Sequence, residues 1–269
     1  MTRRAELKQK ARGSLKGNYG VVVGVMLLSS VVLGVCSGIL QLVCSVVGTF
    51  STAGSIALGG AAGLESWVSI AVVTGSIPSM VCSLLTSIIY SGLTYILMVG
   101  GIRVYLKLCA GEKAEIGDLF WGFQNDPIRF GGIGALISVV MELCLLPVVI
   151  LAVAMSVSKE SGFLLFAVLF MLVYGLVLTV VGIYLALTFG MFLYVLVDRP
   201  EMTLWQALGE SRRLMKGNRI RLVMLQISFI GWGLISILTL GIGLLWLNGY
   251  ILCTTAWFYK DLYRSLNLE

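Results

Sequence analysis

Hydrophobic positions in this chain gather into long blocks separated by short polar segments. The blocks lie within residues 19–48, 79–106, 131–155, 163–197, 222–239 and 243–259. About 20 apolar residues at ~1.5 Å each cross a hydrocarbon core of ~30 Å. The pattern therefore predicts an all-α, polytopic transmembrane helix bundle of six spans in a single membrane domain, 1–269.

Three polar segments, 2–16, 112–126 and 203–216, carry a helical period of their own. In the first, Leu7, Ala11 and Leu15 recur at i, i+4 and i+8 and share one face, with basic residues around them. It reads as an interfacial amphipathic helix. In the second, Leu119, Phe120 and Phe123 form an aromatic-rich face, with Trp121 as an interfacial anchor. In the third, Thr203 and Gln206 have capping-box spacing. Leu204, Ala207, Leu208, Ser211, Leu214 and Met215 then fill one stripe.

Two regions fit the period less well. Residues 49–66 are rich in Gly, Ala and Ser and read as an extramembrane connector. The apolar run 67–108 is too long for one perpendicular helix. Either Pro78 separates an external or re-entrant piece from one span at 79–106, or the run holds two spans.

Charge decides between these. One span in that run places eighteen of the nineteen Lys and Arg residues on one side, leaving only Lys159 opposite. By the positive-inside rule that side is cytoplasmic. Two spans would put the basic segment 198–221 outside. The expected placement is a plasma membrane with both termini cytoplasmic.

Composition agrees with membrane residence. Charged residues are 12% of the chain, about half the usual share in soluble domains, and mean hydropathy is +0.99. The formal charge of +6 reflects basic residues flanking apolar blocks. No nucleic-acid readout fold accompanies it, so no nucleic-acid partner is expected. Histidine is absent, which removes the commonest general base and metal ligand. The six cysteines form no C-x-x-C pair and read as small apolar residues. No cofactor and no metal site are expected.

The junctions ARGSLKGNYGVVV (11–23), LFWGFQNDPIRFGG (119–132) and SRRLMKGNRIRLV (211–223) each lead from an amphipathic segment into an apolar one. They suggest a threefold repeat of amphipathic helix plus helical hairpin, with Gly-Asn ending the first and third feeder helices and Asn125 with Arg129 a loose echo in the second.

The stretches SRRLMKGN, LQISFIGW, LTLGIGLLWL and AWFYKDL within 211–262, with the amino-terminal LKGN and central DLFWGF, carry a resemblance. The chain resembles the bacterial integral membrane family catalogued as domain of unknown function 975. Asn248-Gly249-Tyr250 departs from it, since the family leads one to expect a Pro-Tyr pair there. The resemblance implies a multi-span membrane protein of Gram-positive-type bacteria and transfers no catalytic residue.

Candidate sites are few. Glu142 is the one ionisable residue near the middle of a block. A carboxylate there must be protonated, paired or facing water, since insertion of a charge costs at least ~2.5 kcal/mol. It is a candidate coupling group in a transport path, or a structural Glu bonded to a neighbouring helix. Gln41, Gln226 and Asn248 are intramembrane amides, most simply interhelical contacts. Arg212, Arg213, Lys216, Arg219 and Arg221 could bind anionic lipid headgroups. The expected function is non-enzymatic: organising the membrane or binding lipid or another membrane protein. The alternative is a small-molecule or ion transporter with Glu142 in its path.

Overall fold

The computed structural model describes residues 4–60, 65–157, 161–239 and 241–266. The described residues are almost entirely helical and contain no strand. Helix α1 (Arg4–Leu15) precedes two long helices, α2 (Tyr19–Gly60) and α3 (Glu65–Ala110). A 3₁₀ turn, η1 (Ile116–Phe120), and a short α4 (Trp121–Gln124) lead into α5 (Pro127–Val157). Then come α6 (Ser161–Phe189), α7 (Phe192–Asp198), α8 (Leu204–Met215), α9 (Arg219–Leu238) and α10 (Ile242–Ser265).

Five stretches are long and apolar enough to cross a bilayer: Tyr19–Ser51, Met80–Ala110, Pro127–Ala152, Gly162–Asp198 and Arg219–Ser236. Most of their side chains are exposed, as helices solvated by lipid require. Helix α10, expected as a sixth span over 243–259, is not among them. Its second half is core instead: Cys253, Ala256, Phe258, Tyr259 and Leu262 are buried.

The expected connector at 49–66 is replaced by helix on both sides of 61–64, which lie outside the described residues. Lys159, and most of the polar link around it, also fall outside them. Pro78 sits inside α3 and does not end it. The run 67–108 is thus one helix rather than two. Alanine is the strongest helix former, so the Ala residues offset the ~1 kcal/mol that each Gly costs inside a helix.

The chain forms two compact units. The first comprises 1–27, 98–124 and 146–269. Its core gathers Val104 and Tyr105 of α3, Val195 and Leu196 of α7, Leu214 and Met215 of α8, and the buried residues of α10. η1 closes on α3 at Gly100, where a Cβ would collide with the Leu119 carbonyl. Lys107 pairs with Asp118, which also accepts the Glu115 amide at 2.9 Å. The Arg103 guanidinium lies 4.4 Å from the ring centroid of the half-buried Trp121.

Burial alone would raise the Asp118 carboxyl, but the Glu115 amide and the Lys107 ammonium outweigh it and hold it below its ordinary value. Its contribution to stability is present above the unfolded pKa and is lost as pH falls through the lower folded value. Between pH 6 and pH 3 the wild type should lose melting temperature chiefly below about pH 4. Asp118→Asn should already be less stable at pH 6 and lose less over the same range. Parallel curves for the two proteins would contradict this.

The second unit comprises 28–97 and 125–145. Its α3–α5 crossing is built on small residues. A Cβ on Gly134 would stand 2.5 Å from the Ser91 carbonyl oxygen, and the Ser91 hydroxyl donates to the Gly134 carbonyl at 3.0 Å. Small residues of this kind let backbones approach closely where lipid supplies no hydrophobic drive. The free thiols of Cys44 and Cys82 stand 3.2 Å apart across α2 and α3.

Candidate membrane-interface site

The two Lys-Gly-Asn sequences fold into the same turn. Gly17 and Gly217 take φ of 90° and 80°, the left-handed region that glycine tolerates. The Lys16 and Lys216 amides donate to carbonyls of the preceding turn at Arg12 and Arg212. Asn18 and Asn218 each turn the side-chain amide back, to the Ser14 and Leu214 carbonyls, both at 3.2 Å. Their own backbone carbonyls then accept amides at the end of the first turn of α2 and α9, from Val22 and Leu222. Glycine alone supplies the positive φ; asparagine links the two helices. At the middle junction Asp126 takes that role with φ 56°.

Helix α1 does not lay its apolar face on a membrane. Leu7, Ala11 and Leu15 are buried, and the helix runs beside α10 in the same direction. The Tyr250 hydroxyl donates to the Lys8 carbonyl at 3.3 Å, Cys253 Sγ approaches the Ala11 carbonyl at 3.8 Å, and Trp257 Nε1 donates to Ser14 Oγ at 3.1 Å. Lys8 also reaches α9, donating to the Ser228 carbonyl at 3.3 Å and lying 4.3 Å from the Phe229 ring centroid. Burial, with repulsion from Arg12 and Arg4, holds the Lys8 ammonium below its ordinary pKa.

Helix α8 is capped by Thr203 and Gln206 in both directions: the Gln206 amide donates to Thr203 Oγ1 at 3.4 Å and the Thr203 amide to Gln206 Oε1 at 2.9 Å. Ala207, Ser211, Leu214 and Met215 face the core. The opposite face presents Trp205, 83% exposed, with Arg212 and Lys216 at i+7 and i+11. Arg213 is exposed too and lies 3.8 Å from Glu210.

The five cations read from the sequence thus divide. Arg212, Arg213 and Lys216 point outward. Arg221 donates to Asp261 at 2.9 Å and to Asn218 at 3.1 Å. Arg219 lies 4.7 Å from the Tyr184 ring centroid. One-dimensional spacing could not separate the two groups, because Asp261 and Tyr184 come from distant helices.

The intramembrane polar candidates are scattered. Glu142 is half-exposed on α5, and Gln41, Gln226 and Asn248 are exposed on α2, α9 and α10. None of the four makes a side-chain hydrogen bond or ion pair among the described residues. No cluster of three metal-ligating side chains occurs among the described residues. At the departure Asn248-Gly249-Tyr250, α10 runs on unbroken, and Gly249 meets α2 so closely that a Cβ would stand 2.5 Å from Val22 Cγ1.

No curated protein and no solved structure matches the chain. A family model does, over residues 1–265. With helices long and apolar enough for a bilayer and a basic, tryptophan-bearing face beside them, the chain belongs to the family described as protein of unknown function (DUF975).

Proposed function

We propose that this is a multi-pass, non-enzymatic protein of the bacterial plasma membrane that binds anionic lipid at its basic end. The single observation that carries the reading is the outer face of α8, where Trp205, Arg212 and Lys216 share a stripe turned away from the core. Tryptophan favours the headgroup level, and each juxtamembrane cation adds ~1 kcal/mol toward an anionic surface.

Helices α2, α3, α5 and α6–α7 supply four crossings, and α9–α10 is a hairpin that returns to its starting side. Six crossings or four, both ends of the chain lie on the same, basic side, the cytoplasmic one. Depth favours a partial insertion of the hairpin. Lys8 sits level with Tyr250 and Ser228, and about nine and thirteen residues separate these from Gly241 at the turn. At ~1.5 Å per residue the hairpin extends ~14–20 Å beyond the level of Lys8, about one leaflet of a ~30 Å core.

The test is native mass spectrometry of the full chain released from mixed phosphatidylglycerol and phosphatidylcholine. The wild type should retain phosphatidylglycerol preferentially. Arg212→Gln/Arg213→Gln/Lys216→Gln should weaken that preference by roughly 5-fold for each charge that contacts a headgroup. An unchanged preference in the triple variant would overturn the assignment to α8.

A further inference from the structure

A groove of about 500 Å³ opens between α9, α10 and the α1–α2 junction. That volume lies within the range of small-molecule sites, roughly 300–1,000 Å³. Its two ends differ chemically. Arg12 and Lys16 stand at one end, and Trp232, Ile235, Trp246 and Leu247 form an apolar wall. No acidic residue lines it, and none of the ion pairs among the described residues uses Arg12 or Lys16. The Arg12 guanidinium lies 5.5 Å from the Tyr250 ring centroid, which places it where the basic end meets the wall.

From this geometry we infer a binding site for one anionic glycerophospholipid, with its phosphate at Arg12 and Lys16 and an acyl chain along Trp232, Ile235, Trp246 and Leu247. The inference rests on the reading that α9–α10 enters the membrane from the basic side, but it uses none of the α8 cations. Both halves of the groove select the same molecule. A free phosphate would satisfy the cations and leave the wall bare. A neutral alkyl chain would cover the wall and leave two cations without an anion.

The depth argument agrees. Because α1 runs beside α10 in register, Arg12 lies level with the residues that follow Tyr250, at the base of the projecting hairpin. Trp232 and Ile235 are 53% and 55% exposed and Trp246 is 48% exposed on the part that projects. A phosphate at the base and a chain along the arms match the orientation of a lipid in the adjacent leaflet. The buried Ser236 and the hydroxyl of Thr239 close the far end, where the Gly243 amide donates to Thr239 at 3.0 Å.

The experiment is tryptophan quenching by lipids brominated on the acyl chain, with the full chain reconstituted in bilayers. The signal of the groove is the quenching lost in Trp232→Phe/Trp246→Phe. At equal mole fraction, brominated phosphatidylglycerol should quench that signal more than brominated phosphatidylcholine, with an apparent preference of about 10-fold or more from two cations. In Arg12→Gln/Lys16→Gln the preference should fall toward unity, while Arg212→Gln/Arg213→Gln/Lys216→Gln should leave it in place. Competition by unbrominated phosphatidylglycerol in the wild type should restore the fluorescence, and needs no variant to fold. Equal quenching by the two lipids in the wild type would overturn the groove without touching α8. Loss of preference only in the α8 variant would overturn it as well, and would leave the basic-face reading standing.

Discussion

Gly100→Val is expected to dismantle the packed end of the first unit. A Cβ at residue 100 would overlap the Leu119 carbonyl, a backbone atom that cannot rotate away. Relief requires η1 to lift from α3. That movement would separate Asp118 from Lys107 and expose Leu119, now 1% accessible. Overpacking ordinarily costs 1–3 kcal/mol and more where backbone must move, so the loss should be about 3 kcal/mol or more. In detergent, the variant should melt well below the wild type or elute as aggregate. Gly101→Val is the matched control, since nothing lies within 4 Å of a Cβ there. Equal melting temperatures for Gly100→Val and Gly101→Val would refute the close approach.

The same position shows where sequence reading stops. The pattern of apolar blocks identifies helices and separates them from amphipathic feeders, because membrane helices announce themselves by composition over ~20 residues. The faces of α1 and α8 are equally legible: Leu7, Ala11 and Leu15, and Ala207, Ser211 and Leu214, repeat every three or four residues and are buried. The capping box at Thr203 needs only local spacing. What covers those faces is not local. The α1 stripe fits a membrane surface or a protein partner equally well, and only its register with Tyr250, Cys253 and Trp257 shows that α10 covers it.

Length alone does not say what surrounds a helix. Residues 243–259 form an apolar block, and Cys253, Ala256, Phe258 and Tyr259 within it are buried against the rest of the chain. Hydropathy does not distinguish a side chain solvated by lipid from one packed against Tyr194 or Tyr259. The groove escaped for a related reason. In one dimension Arg12 and Lys16 belong to the basic amphipathic segment 2–16, and Trp232 and Trp246 to the separate apolar blocks 222–239 and 243–259. Only the hairpin turn and the Gly17 turn bring these four to one cleft.

Removing Asp261 should loosen the hairpin at its root. Arg221 stands near the start of α9 and Asp261 near the end of α10, and their 2.9 Å contact ties the two arms where they leave the core. The pair is mostly shielded, with side chains 26% and 12% accessible. Breaking a fully buried pair costs 3–5 kcal/mol, largely because the surviving charge is left uncompensated. Partial exposure of Arg221 and its bond to Asn218 at 3.1 Å reduce that penalty, so Asp261→Ala should cost about 2–3 kcal/mol. The guanidinium also lies 5.4 Å from the Phe258 ring centroid, so packing alone could account for some loss on mutation. A double variant separates charge from packing. Arg221→Met/Asp261→Leu removes both charges while keeping volume, and replacing such pairs by apolar residues is often neutral or stabilising. It should therefore melt above Asp261→Ala, near the wild type. A double variant as unstable as Asp261→Ala would mean that the root of the hairpin depends on the bonds of the pair themselves, not on avoiding a lone cation.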